Sequence, residues 1–278
     1  MLSYNCNKMP EILRASPPCV LTIAGSDSGG GAGIEADQAT IAAFGLGTRV
    51  ALTAVTAQNS RGVTSIQALR PAMVAAQIDA VLDDFPVRAI KTGMLASPAI
   101  VRSVAGCLAT RPRLPFVLDP VLVATSGATL ATGDLAPAIL RHLLPGATLI
   151  TPNLPEAARL LGMPRIGRCG MLAAATALRG RGARAVLLKG GHLDGDVIAD
   201  LLLDATGATW FEHHRVAGNV HGTGCTLSAA IAAGLAQGVA LPRAVAGAIA
   251  WLQQAIRHRY RAGRGNLAWL HPGTMTPQ

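Results

Sequence analysis

The stretch His221-Gly222-Thr223-Gly224-Cys225, followed by Thr226-Leu227-Ser228-Ala229-Ala230-Ile231-Ala232-Ala233, reads as a tight glycine turn running into a buried helix. Two glycines one residue apart let the backbone turn sharply and come close to a ligand. The first amides of the helix lack internal acceptors, and the helix dipole favours negative charge in front of them. The turn is therefore a candidate anion cradle, suited to a transition state with charge spread over phosphoryl oxygens. Taken alone it reads first as a plain turn before a core helix, so the surrounding chain has to decide.

Upstream, short apolar runs recur, each ending in polar or glycine-rich residues. Cys19 to Ala24 reads as a buried strand and ends in a glycine-rich loop, Gly25 to Gly33. Ile34 to Phe44 has helical spacing, Thr48 to Val55 reads as a second strand that stops at Thr56-Ala57-Gln58-Asn59, and Pro71 to Phe85 as a helix with Pro in its first turn. Ala89 to Gly93 is a strand, and Ser97-Pro98 opens a helix. Pro115 to Asp119, Thr148 to Thr151 and Ala185 to Lys189 continue the strand series. Val197 to Leu203 and Thr209 to His214 pair across the turn Asp204-Ala205-Thr206-Gly207. Two helices, about 226–237 and 242–260, close the pattern, and the tail from Gly263 is poorly patterned. Alternating strands and helices imply an α/β fold: a central, mostly parallel sheet with helices on both faces. Residues 1–18 read as a flexible N-terminal segment, 19–262 as one domain and 263–278 as a C-terminal tail.

Composition narrows the function. Of 278 residues 50% are hydrophobic and only 14% charged, enough for a sizeable core and against disorder. The net charge is +9, but the arginines are scattered and aromatic residues are 3%, so no stacking platform for nucleic acid is present. The five cysteines, Cys6, Cys19, Cys107, Cys169 and Cys225, form no C-x-x-C and suit a reducing, cytoplasmic setting. The run Cys225 to Leu241 is apolar but holds Ser228, Gly234, Gln237 and Gly238, which fits a buried helix better than a membrane span.

The polar strand ends fall at Gly25 to Asp37, Gln58-Asn59, Gly93-Met94, Asp119, Asn153 to Glu156 and Lys189-Gly190-Gly191. Open α/β sheets bind ligands at such carboxyl ends. Carboxylates for a divalent metal, one Lys for phosphate and backbone amides for the migrating group are what phosphoryl transfer needs. There is no G-x-x-x-x-G-K-[ST] and no clean dinucleotide fingerprint.

Ala24-Gly25-Ser26-Asp27 with Gly30-Gly31-Ala32-Gly33-Ile34 and Ala36-Asp37 opens a series of motifs. Ala57-Gln58-Asn59, Lys91-Thr92-Gly93-Met94-Leu95, Leu118-Asp119-Pro120-Val121 and Ser126-Gly127 follow, then Thr151-Pro152-Asn153-Leu154-Pro155-Glu156-Ala157, Leu188-Lys189-Gly190-Gly191-His192 and His221 to Ser228. In this order and spacing, over roughly 19–258, the chain resembles the ribokinase-like superfamily, and within it the hydroxymethylpyrimidine/phosphomethylpyrimidine kinases of thiamine biosynthesis. The resemblance implies a three-layer sandwich and ATP- and Mg²⁺-dependent phosphorylation of 4-amino-5-hydroxymethyl-2-methylpyrimidine, then of its monophosphate. It implies that Gln58 and Asp37 hydrogen-bond the aminopyrimidine, with Gly25, Met94 and Val121 lining its pocket. Asp119 and Glu156 would organise Mg²⁺, Asn153 and Thr223 would lie at the nucleotide, and Lys189 would neutralise phosphate. Gly222, Gly224 and Cys225 would form the anion hole.

Sugar kinases of the superfamily usually carry Asp where Cys225 stands, and a Cys at a helix N-terminus is expected to have a depressed pKa. His221 is assigned no catalytic role. The family loop commonly runs Asp-Pro-Ser-Gly-Gly-Ala-Gly; here it is Asp27-Ser28-Gly29-Gly30-Gly31-Ala32-Gly33, a change expected to loosen it. The partners implied are the pyrimidine and ATP, with no nucleic acid and no membrane, in a homodimer. The rival readings are a pyridoxal-type vitamin kinase on the same scaffold and a non-catalytic pyrimidine-binding protein.

Overall fold

A computed structural model describes residues 17–122, 133–216 and 218–270. Most of the N-terminal segment, the Ser126-Gly127 motif and the last eight residues of the tail lie outside the described residues. In chain order, β1 (Cys19–Ala24), α1 (Gly33–Ala43) and β2 (Gly47–Leu52) come first, then β3 (Ala54–Asn59) and β4 (Gly62–Ala68). Next are α2 (Pro71–Asp84), β5 (Val87–Thr92), α3 (Pro98–Ala109), β6 (Phe116–Leu118), α4 (Leu135–His142) and β7 (Leu149–Ile150). They lead to α5 (Leu154–Leu161), α6 (Met171–Gly180), β8 (Val186–Leu188) and the hairpin β9 (Val197–Asp204) and β10 (Gly207–His214). Helices α7 (Thr223–Ala236) and α8 (Leu241–Arg257) follow, and β11 (Tyr260–Arg261) and β12 (Ala268–Trp269) form a last short ribbon.

Eight strands make one sheet in the order β10-β9-β8-β7-β6-β5-β1-β2, parallel from β8 to β2 and antiparallel at β9 and β10. Both faces of the parallel strands are covered, so their residues are apolar in both phases of the pleat. On one side Leu21, Ile23, Phe116, Leu118, Val186 and Leu188 pack with residues of α2 to α6. On the other, Val20, Val117 and Leu187 pack with α1, α7 and α8. Each such side chain, once fully buried, contributes about 1.5–3 kcal/mol relative to exposure. Helix α7 is buried all along Thr226–Gly234, which explains its uniformly apolar sequence. No helix among the described residues is long and apolar enough to cross a membrane.

Two features position the site. β1 hydrogen-bonds β2 on one side and β5 on the other, so the strand order reverses at β1 and leaves a crevice at the carboxyl ends of β1 and β5. The expected strand Thr48 to Val55 is broken at Thr53. Its N–H donates to Ala24 O at 2.9 Å and its hydroxyl to Met94 O at 2.6 Å, turning the chain over that crevice. The following residues pair as the separate β3–β4 ribbon, which carries Gln58 above the sheet instead of at a sheet strand's end.

Candidate active site

A cleft of about 640 Å³ opens over the carboxyl ends of the strands. Gly25, Gln58, Met94 and Val121 line it on the ribbon side. Asp119, Asn153, Glu156 and Lys189 line it toward β8, and Gly222, Thr223, Gly224 and Cys225 stand between the two groups. A dozen of the thirteen site residues expected from sequence therefore share one cavity.

The glycine turn is built for close approach. Gly222 is the N-cap of α7 in a left-handed conformation, φ +72°, and a Cβ there would lie 1.9 Å from Gly31 O. Thr223, Gly224 and Cys225 form the first helical turn, whose amides an α-helix leaves without internal acceptors. A Cβ on Gly224 would stand 3.2 Å from Lys189 Nζ, so the ammonium sits directly beside the cradle.

Lys189 Nζ lies 3.2 Å from Asp119 Oδ1. Burial would favour loss of the Lys189 proton, but Asp119 and Glu156 outweigh it and raise its pKa. Asp119 also accepts hydrogen bonds from Thr151 Oγ1 and Ser228 Oγ, each at 3.2 Å. Asn153 caps α5 through a reciprocal box: its Oδ1 accepts from Glu156 N, and Glu156 Oε2 accepts from Asn153 N, both at 2.8 Å. Burial pushes Glu156 up to about 7; Lys189 opposes that shift and Asp119 adds to it. Among the described residues no three His, Cys, Asp or Glu converge as a ready-made metal cage. Asp119 and Glu156, two carboxylates lining one cleft beside Lys189, still fit Mg²⁺, which keeps several waters and takes phosphate oxygens as ligands.

At the ribbon end, a Cβ on Gly25 would approach Met94 Sδ to 3.0 Å, so backbone and thioether form one wall. Asp27, buried, gathers the glycine loop: Oδ1 accepts from Gly29 N at 2.8 Å, and Oδ2 from Gly31 N at 3.0 Å and Ala32 N at 2.9 Å. Burial alone would raise its pKa, but His221 and these amides hold it below the usual carboxylate value. His221 Nε2 lies 2.9 Å from Asp27 Oδ2 and 2.8 Å from Gln58 Nε2. Trp269 meets the His221 ring edge to face at 5.5 Å and donates its indole N–H to Gly29 O at 2.9 Å. The strand around it is fixed by His221 N donating to Ala268 O at 2.9 Å.

Three expectations are corrected. Asp37 is not a wall of the cleft: it is fully buried, with both oxygens on Lys91 Nζ at 2.8 and 2.9 Å and a further bond from Thr22 Oγ1. Burial alone would discharge Lys91, but Asp37 more than offsets this and raises its pKa. Cys225 is not acidified. Protein packed around its sulfur pushes the thiol up to about 11; Lys91 opposes this, while Asp119 and Asp37 reinforce it. The first loop is not loosened by the missing Pro, because Ser28 Oγ donates to Gln58 O and accepts from Gln58 N, both at 2.7 Å. His221, Asp27 and Trp269 went unassigned in the sequence reading, although Asp27 and His221 lie inside the quoted motifs.

Residues 27–269 match the family model described as phosphomethylpyrimidine kinase. The chain is 46% identical over 257 residues to a hydroxymethylpyrimidine/phosphomethylpyrimidine kinase of Rhizobium meliloti, covering 90% of this chain and 96% of that protein. It is 46% identical over 248 residues to the thiamine biosynthesis bifunctional protein ThiED of Geobacter sulfurreducens, spanning 89% of this chain but 51% of that longer protein. A similar solved structure is an ADP complex of Bacillus subtilis pyridoxal kinase, with a TM-score of 0.86 at 33% identity, covering 93% of this chain and 99% of that one.

Proposed function

The chain belongs to the phosphomethylpyrimidine kinase family, and on that premise we propose how its cleft divides the work of two phosphorylations. The reaction is transfer of the ATP γ-phosphoryl group to 4-amino-5-hydroxymethyl-2-methylpyrimidine and then to its monophosphate, a step of thiamine biosynthesis. In each turnover an acceptor oxygen attacks the γ-phosphorus, loses its proton in the first step, and ADP leaves.

The pyrimidine lies against Gly25, Gln58, Met94 and Val121. The amides of Thr223, Gly224 and Cys225 receive the migrating group, and Lys189 offsets the growing charge. Asn153 and Thr223 face the nucleotide phosphates. Asp119 and Glu156 would hold Mg²⁺, which would supply charge neutralisation at the phosphates. Cys225, a thiol with a raised pKa, positions the acceptor instead of serving as a strong base; in a loose transition state positioning outweighs proton removal. The monophosphate places its own phosphate where the alcohol oxygen stood, against the same cradle.

We propose a cytoplasmic homodimer that needs neither membrane nor nucleic acid. Val55 on the β3–β4 ribbon, 45% exposed, is an apolar side chain available to the partner.

The observation that carries this reading is the contact of the two glycine loops, Gly222 against Gly31, which puts the cradle and the pyrimidine wall in one cavity. Coupled ADP release should be rapid with the pyrimidine alcohol and with its monophosphate, and slower with pyridoxal. ATP turnover with neither pyrimidine would end the proposal, and faster use of pyridoxal would move the specificity to the other vitamin.

A further inference from the structure

Gln58 reaches the cleft beside a group that constrains its chemistry. His221 Nε2 has two neighbours at hydrogen-bond distance, Asp27 Oδ2 at 2.9 Å and the Gln58 amide at 2.8 Å. Asp27 already takes three backbone N–H groups and acts here as an acceptor only. The proton of the imidazole therefore belongs on Nε2, directed at the carboxylate. A protonated Nε2 has no lone pair for a second donor. Oxygen and nitrogen of a glutamine amide have nearly the same shape, so the hydrogen-bond network decides which faces which way. An NH₂ there would set donor against donor, so the Gln58 carbonyl, not its NH₂, faces His221 and shares the single Nε2–H with Asp27 in a three-centre bond.

We infer that His221 is a positioning residue for substrate recognition: held by Asp27, it turns the Gln58 amide so that the NH₂ faces the cleft and reads a hydrogen-bond acceptor, an endocyclic nitrogen of the aminopyrimidine. The exocyclic amino group, a donor, pairs elsewhere. This deepens the proposed role of Gln58 and rests on it.

The parts are held too firmly for the pattern to invert. The imidazole is buried at 4% exposure, and a Cβ on Gly31 would stand 2.5 Å from its Cδ2. Trp269 closes the other approach at 5.5 Å between ring centres. Nδ1 is buried with no hydrogen-bond partner among the described residues, a place better suited to a lone pair than to a stranded N–H. The root of Gln58 is clamped as well, by the paired bonds between its backbone and Ser28 Oγ.

Calorimetry on the full chain tests this with the pyrimidine alcohol, its two ring-deaza analogues (each with one endocyclic nitrogen replaced by CH), the analogue lacking the amino group, and ATP. One deaza analogue should bind wild type about tenfold more weakly than the alcohol, and Gln58→Leu should not distinguish the two. His221→Ala should weaken the alcohol about tenfold and leave ATP within about twofold, and His221→Gln, which keeps a donor for Asp27, should recover most of the loss. Gln58→Leu/His221→Ala should be no weaker than Gln58→Leu alone, because one residue acts through the other. Additive losses, or a loss on Gln58→Leu confined to recognition of the amino group, would overturn the inference while leaving Gln58 a ligand. Unchanged alcohol affinity in Gln58→Leu would overturn the placement of Gln58 itself, and this inference with it.

Discussion

The two glycine-rich loops, Gly29 to Gly33 and Gly222 to Gly224, touch each other and look alike in sequence, yet they are spent differently. In the first, the Asp27 carboxylate consumes the amides of Gly29, Gly31 and Ala32. In the second no side chain among the described residues caps the turn, and the first-turn amides of α7 face the cleft beside Lys189. A glycine loop becomes an anion site only where the chain does not supply its own anion. The first loop is a rigid wall; the second is an open socket.

Gly222→Ala attacks the contact between them and should have the largest effect. It forces a Cβ to 1.9 Å from Gly31 O at a φ of +72°. Relief requires the loops to part, and activity should fall by roughly 10³-fold or more, with stability down by about 2–4 kcal/mol. A variant with normal kcat would show that the loops need not touch. Lys189→Met tests the socket alone: kcat should drop roughly 10²–10³-fold while pyrimidine affinity holds, as expected for a group acting on transition-state charge. An equal fall in pyrimidine binding would instead place Lys189 in the wall.

Asp27→Asn tests the wall. Losing the charged acceptor should cost about 2 kcal/mol of stability near neutral pH and weaken pyrimidine binding more than ATP binding. Because Asp27 titrates below the usual carboxylate value, its contribution is complete above about pH 4 and fades as pH falls through the lowered folded value. Chemical denaturation across pH should therefore show wild type and Asp27→Asn converging in acid; a constant gap would refute the assignment. Cys225→Ala should be mildest, within about tenfold in kcat, since the thiol is pushed up to about 11 and is not a ready base. A loss beyond 10³-fold, on the order expected for an essential base, would restore general-base catalysis to Cys225.

Much of this arrangement was legible in the chain. Strands buried on both faces must be apolar throughout, so Cys19–Ala24 and Val186–Leu188 announced themselves, as did Ser97-Pro98 and the Asn153–Glu156 box at helix starts. The break at Thr53 was not legible, because what bends the chain there is a bond to Met94, far along the sequence. β4, Gly62–Ala68, lies on an exposed ribbon and lacks an apolar signature. The two aspartates of the first motif could not be told apart for the same reason. Asp37 faces inward because Lys91, on a neighbouring strand, awaits it, whereas Asp27 faces the loop amides and His221. Trp269 stands in a segment without periodicity, since a strap held by single contacts needs none.

That strap has a consequence for synthesis. The ring of Trp269 and the strand at Ala268 fasten residues near 29 to residues near 221, so the wall reaches its final shape only after residue 269 has emerged from the ribosome. A growing chain short of residue 269 would already carry Lys189 and the Gly222 turn yet lack the side chain that fastens the two glycine loops around His221.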